Sequence, residues 1–219
     1  MKIEKIKLSQ IIILLVCLLM VTELKAQVVE NNFQSRTSAE LSFKPIKNFK
    51  ISLTPELRFD NDFVLDKFLF EAEAAYKPIK FISLGTSYRI GGNLRENKGT
   101  EFISRFAISA TAANEFGRFE PAFKLSYTND ADDDIINETF MRYKFSLDYN
   151  IKDCRLTPFA GAEAFQGLSD GGLYKMRYFV GADYKLFKNN YLGLNYKYDY
   201  FYNEYKNNHI ISLGYKIKF

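Results

Sequence analysis

The sequence predicts an all-β chain: an antiparallel transmembrane β-barrel of the outer-membrane type behind a cleaved N-terminal signal peptide. Three observations predict it. A single continuously apolar run lies at the N-terminus, period-two alternation fills the rest, and the polar side of that alternation carries both signs of charge. Composition agrees. The 219 residues include 21 Phe and 15 Tyr, yet mean hydropathy is only −0.22, so apolar and polar residues must be interleaved. That aromatic load excludes intrinsic disorder, two cysteines exclude a disulfide scaffold, and one apolar run excludes a helical membrane bundle.

Residues 1–26 read as an export address. Lys2, Lys5 and Lys7 precede an apolar run from Ile11 to Val21, and Ala26 offers a small residue for cleavage. The run is too short for a transmembrane helix, which needs about 20 apolar residues. Cys17 lies inside the apolar run, without the small residue before it and the polar sequence after it that a lipoprotein signal needs. Residues 27–219 then form one barrel domain. Its 26 basic and 24 acidic residues are too evenly balanced to suggest nucleic acid as a partner. Cys154, at a predicted turn, is its sole cysteine, so no intrachain disulfide can form.

Strands follow from parity. Phe33, Thr37, Ala39, Leu41 and Phe43 alternate with Gln34, Arg36, Ser38, Glu40 and Lys44. The same separation marks segments near 49–60, 67–77, 81–90, 101–112, 118–128, 138–149, 155–166, 174–185, 191–201 and 208–219. Pro55, Pro121 and Pro158 fit a strand only at bulges or ends. The connections alternate between short turns and longer polar loops, which is the layout of an outer-membrane barrel. A local repeat, Lys44-Pro45-Ile46-Lys47 and Lys77-Pro78-Ile79-Lys80, predicts two hairpins built alike.

Alternation alone leaves two barrels open. A soluble lipocalin-like carrier would turn the apolar parity inward; a membrane barrel would turn it outward. Segment length favours the membrane, since soluble strands average about 5–6 residues and transmembrane ones about 9–11. The apolar parity is almost free of charge at mid-strand, as a lipid-facing band must be. Its aromatics also gather near strand ends in two girdles, Phe43, Tyr76, Phe119 and Tyr184 by the short turns, and Phe68, Tyr88, Tyr127 and Tyr174 by the long loops. Closure follows, because an unpaired edge is costly in hydrocarbon. Eleven segments are readable. An even count with both termini on one rim calls for a further short strand within Gln27–Asn32, giving twelve, with ten as the alternative.

The chain ends in Tyr215-Lys216-Ile217-Lys218-Phe219, which resembles the terminal signature of outer-membrane barrels; in that class the barrel-assembly machinery reads it, here through Tyr215 and Phe219. The pattern Ile51-Ser52-Leu53-Thr54-Pro55-Glu56-Leu57-Arg58-Phe59, with hairpins such as Phe81 to Arg89, is similar to an uncharacterised Gram-negative outer-membrane β-barrel family (domain of unknown function twenty-four-ninety). The resemblance covers nearly all of residues 27–219. It implies fold and location and carries no catalytic residues.

The residues themselves offer little chemistry. His209 stands on the lipid-facing parity, and Ser212 points to the other face, so a Ser–His pair of the kind that cleaves lipid is not formed within this strand. Glu56, Arg58, Glu71, Glu73, Arg89, Arg105, Arg142, Glu163 and Arg177 share the inward parity. They read as an ionic ladder filling a narrow lumen rather than as paired catalytic carboxylates. Asp130, Asp132 and Asp134 have the spacing of a calcium loop, but Ile135 stands where its turn glycine should be, and a solvated acidic loop is the plainer reading. No cofactor motif is present. The sequence therefore predicts a non-catalytic barrel in the outer membrane of a Gram-negative bacterium, a porin-like narrow channel for small hydrophilic solutes or a structural surface protein. Its partners would be outer-membrane lipid and lipopolysaccharide, and the assembly machinery during insertion. A lipid-modifying enzyme is the alternative, and a soluble carrier the more distant one; oligomeric state is left open.

Overall fold

A computed structural model describes residues 30–95, 99–129, 138–169, 171–202 and 206–219. The segment read as a signal peptide lies outside them. Among the described residues eleven strands form one closed barrel: β1 Glu30–Ile46, β2 Phe49–Phe59, β3 Leu65–Ile79, β4 Ile82–Arg95, β5 Gly99–Ala113, β6 Phe119–Thr128, β7 Phe140–Tyr149, β8 Leu156–Gly167, β9 Leu173–Phe187, β10 Asn190–Phe201 and β11 Lys206–Lys218. Each of the eleven alternating segments is a strand, with limits that move by a few residues.

Sequential neighbours pair antiparallel, and β1 closes onto β11 in parallel. This corrects the expected count of twelve. Glu30–Asn32, expected within a separate short strand, are the first residues of β1 and pair with Lys206–Asn208. Because β1 bonds directly to β11, no edge remains for a twelfth strand. Eleven sequential antiparallel strands leave the first and last running the same way, so an odd barrel must contain one parallel seam. Thirteen consecutive register pairs, Glu30↔Lys206 to Ser42↔Lys218, make it a long one.

Tight turns use residues that tolerate a left-handed backbone. Asn48, Gly117, Asp153 and Asn189 all have φ near +60°, one in each of four short connections. The repeated Lys-Pro-Ile segments do build alike: a register shift between Phe43 and Ile46 recurs between Tyr76 and Ile79, each before a two-residue turn. Pro121 and Pro158 lie at strand ends, past the last register pairs with β5 and β7. Pro55 is interior. There the β1–β2 register skips from Ser38↔Glu56 to Leu41↔Leu53, as expected where a residue has no N–H to give.

The two faces are sorted as a membrane barrel would sort them. Phe68, Phe70, Tyr88, Phe106, Ile108, Phe123, Phe145, Tyr178, Val180, Leu194 and Leu213 are exposed on the outer surface, while Arg36, Arg58, Arg105, Glu163 and Arg177 are buried inside. A carrier with an apolar interior requires the opposite arrangement. Tyr174 departs from the expected girdle. The β8–β9 register shifts from Phe165↔Lys175 to Gln166↔Leu173, passing over Tyr174, and its ring packs on Phe140 (5.4 Å) and Phe201 (5.5 Å).

Candidate functional site

Polar groups inside a closed barrel must find partners or water, so the lumen is where the chemistry of this chain collects. Toward the long-loop rim every strand contributes an inward residue that is at most 6% exposed: Arg36, Arg58, Leu69, Asn93, Arg105, Thr128, Phe140, Phe165, Lys175, Asp199 and Ile210, in chain order from β1 to β11. These eleven form a packed belt.

Its charges are matched by geometry. The Glu71 carboxylate accepts from Arg89 Nε at 2.7 Å and Arg105 Nη2 at 2.8 Å, a bridge spanning β3, β4 and β5. Arg142 donates to Glu163 at 2.9 Å, and Arg58 to Glu56 at 2.6 Å. Arg177 has a register partner on each side, Glu163 on β8 and Asp199 on β10, and it forks onto Asp199 with two contacts of 2.6 Å, where Lys175 joins at 3.4 Å. Glu73 is brought into none of these ion pairs.

Aromatics complete the belt. The Lys175 ammonium lies 4.6 Å from the Phe165 ring centre and 5.2 Å from that of Phe201, and the Arg142 and Arg177 guanidiniums approach Phe165 at 4.7 and 5.2 Å. Desolvated cations gain most from such faces. Lys175, Asp199 and these phenylalanines were not among the expected ladder residues. Their signal was there, since Phe140, Phe165 and Phe201 occupy the polar parity.

Toward the short-turn rim the inward residues become small. Again each strand gives one: Ser38, Ser52, Ala75, Gly85, Ser109, Ala122, Ser146, Gly161, Gly181, Gly193 and Gly214. Register links them into a belt, through Ser38↔Gly214↔Gly193, Gly161↔Ser146↔Ala122 and Ser109↔Gly85↔Ala75. Two rings stand inside it. Phe179 lies over its cross-strand partner Gly161, and Phe159 over Gly181, where an added Cβ would meet the ring at 2.7 Å. The lumen is thus packed at one end, while at the other the small residues are interspersed with charged side chains, among them the ion pairs Lys50–Glu40 at 3.0 Å and Lys216–Asp183 at 2.7 Å.

Outside, at the long-loop end of the seam, His209 stacks on Phe33 at 4.8 Å. Tyr196 Oη stands 2.6 Å from its Nδ1, and Asn31 Oδ1 3.4 Å from its Nε2. Both ring nitrogens therefore have side-chain partners on an apolar face, and Ser212 is buried on the other. Asp130, Asp132 and Asp134 lie outside the described residues. Tyr215 Oη donates to Asn190 Oδ1 at 2.6 Å, and the Phe219 amide donates across the seam to the Ser42 carbonyl at 2.8 Å. Cys154 is free and exposed.

No curated protein matches this chain. A family model does, over residues 33–209, from the early part of β1 into β11, under the description "Protein of unknown function (DUF2490)". The barrel with its charged interior therefore belongs to that family of proteins of unknown function, DUF2490.

Proposed function

We propose that this protein is a non-catalytic outer-membrane β-barrel of a Gram-negative bacterium, exported by a signal peptide within residues 1–26 and closed to through-flow at its long-loop end. The belt from Arg36 to Ile210 carries this reading: an open porin-like bore would leave at least one wall of that level wet, and all eleven strands are buried there. The resting barrel is then a blind vessel open on the short-turn rim. Loosening of the Arg177–Asp199 pair would turn it into a narrow charged path for small hydrophilic solutes.

Membrane residence is supported by the apolar outer face and by closure, which leaves no backbone edge to hydrate. Its outer partners would be acyl chains and, at the long-loop girdle, lipopolysaccharide. Tyr215 and Phe219 would serve as the assembly signal. The hydrogen-bonded state of His209 supports an interfacial structural role and offers no adjacent serine nucleophile.

Planar-bilayer recording of residues 27–219 tests the reading. The wild type is expected to show no steady conductance, and Asp199→Ala to show openings. A stable ohmic wild-type pore would overturn it.

A further inference from the structure

We propose that the short-turn half of the lumen is a binding site for a small organic anion with an apolar body, held between the Lys124–Lys144 pair and the Phe159–Phe179 ring surface. Four observations converge on the quadrant formed by β6–β9. Lys124 and Lys144 are direct cross-strand partners on the inward face, an arrangement that repels unless a counter-charge lies between. Neither makes an ion pair among the described residues. Glu163 is the cross-strand neighbour of Lys144, but its Oε1 accepts from both Nη2 and Nε of Arg142, at 2.8 and 2.9 Å, and no ion pair joins it to Lys144. The acidic pair Glu120↔Asp148 stands four residues nearer the rim, about 13 Å along the strands, and no ion pair joins it to the lysines.

The rings supply the other half. Phe159 and Phe179 face the lumen with centres 6.4 Å apart, and Lys144 Nζ lies 4.8 Å from the Phe179 centre. The glycines beneath them let both rings lie on the sheet, so an apolar surface is presented beside two cations. Both rings remain partly exposed in a lumen otherwise lined by polar and small residues. A carboxylate or comparable monoanion would bridge the ammonium groups while its aliphatic or aromatic body covers the rings. Two half-buried cations and an apolar floor suit that ligand better than inorganic phosphate, which has no body to place there.

This rests on the reading that the short-turn half is solvent-filled, and its test is separate from conductance. Folded residues 27–219 in detergent micelles are titrated with benzoate and followed by saturation-transfer NMR, with inorganic phosphate in parallel. Heat-dependent gel mobility certifies that each variant is folded. Saturable benzoate binding is expected, tighter than that of phosphate. The K124Q/K144Q double variant should weaken it at least about tenfold, as loss of charge-assisted hydrogen bonds would. Lys124→Gln alone, which relieves repulsion and so keeps the fold, should weaken it severalfold, and F179L should do the same. Absent saturable binding, or binding equal in wild type and lysine variants, overturns the site. A wild-type barrel that conducts yet binds benzoate lysine-dependently overturns the stopper and leaves the site standing.

Discussion

Arg177 grips Asp199 fork to fork, Nε to Oδ1 and Nη2 to Oδ2, both at 2.6 Å, with the carboxylate wholly removed from solvent. Bidentate charge-assisted pairs are among the strongest hydrogen bonds a protein makes. Here the same carboxylate also answers Lys175, itself wholly buried, so one anion holds two cations in place.

Asp199→Ala should therefore cost more than a surface ion pair would. Removing one partner of a buried pair costs about 3–5 kcal/mol, and this change takes the shared carboxylate from two cations at once. The expected result is a marked fall in the urea midpoint of the folded barrel, with Asp199→Asn intermediate. A midpoint shift typical of a surface site would show that the belt is hydrated.

The ring-over-glycine pair predicts coupling. A Cβ at Gly161 would strike both the Phe145 carbonyl and the Phe179 ring, so Gly161→Ala should destabilise by about 1–3 kcal/mol. F179L should recover part of that loss, because it removes the ring but not the carbonyl. A double-mutant cycle in urea measures this, and strict additivity would deny the contact.

Charge on the outer face tests the membrane reading. Leu194 is 57% exposed near the middle of β10. Leu194→Arg should lower stability in lipid bilayers by about 2–4 kcal/mol. Were the face in water, the change would be close to neutral, so equal stability in liposomes would remove the bilayer from the account.

The seam can be probed by cross-linking in a Cys154→Ser background. Phe33 pairs with His209 in the parallel register. Phe33→Cys with His209→Cys should oxidise to a disulfide, and Phe33→Cys with Ile217→Cys should not. The reverse pattern would mean an antiparallel closure.

Strand existence and parity were legible because both are local: the alternation of Leu41 with Glu40 or of Ile211 with Ser212 states which side faces which medium without reference to any partner. Closure was not. Whether β1 meets β11 directly, and in which sense, depends on residues about 175 apart, and nothing in Glu30–Asn32 separates a short extra strand from the start of β1. In the site, the inward carboxylates and arginines were readable by parity, but the choice of Asp199 over Glu163 by Arg177 is made by rotamers across neighbouring strands. Phe159 and Phe165 were overlooked for a different reason. On β8 the outward positions are Ala160, Ala162 and Ala164, so a pattern that seeks bulk on the lipid side misreads where the rings lie.

The same-sense meeting of β1 and β11 has a consequence for anyone handling this chain. Sequence placed ahead of Glu30 leaves from one mouth of the cylinder, and sequence placed behind Phe219 from the other. An epitope at one end and a fluorophore at the other would report on opposite sides of whatever sheet of lipid surrounds them. A circular permutant would need a tether that runs the length of the seam, roughly 40 Å along thirteen residues of tilted strand.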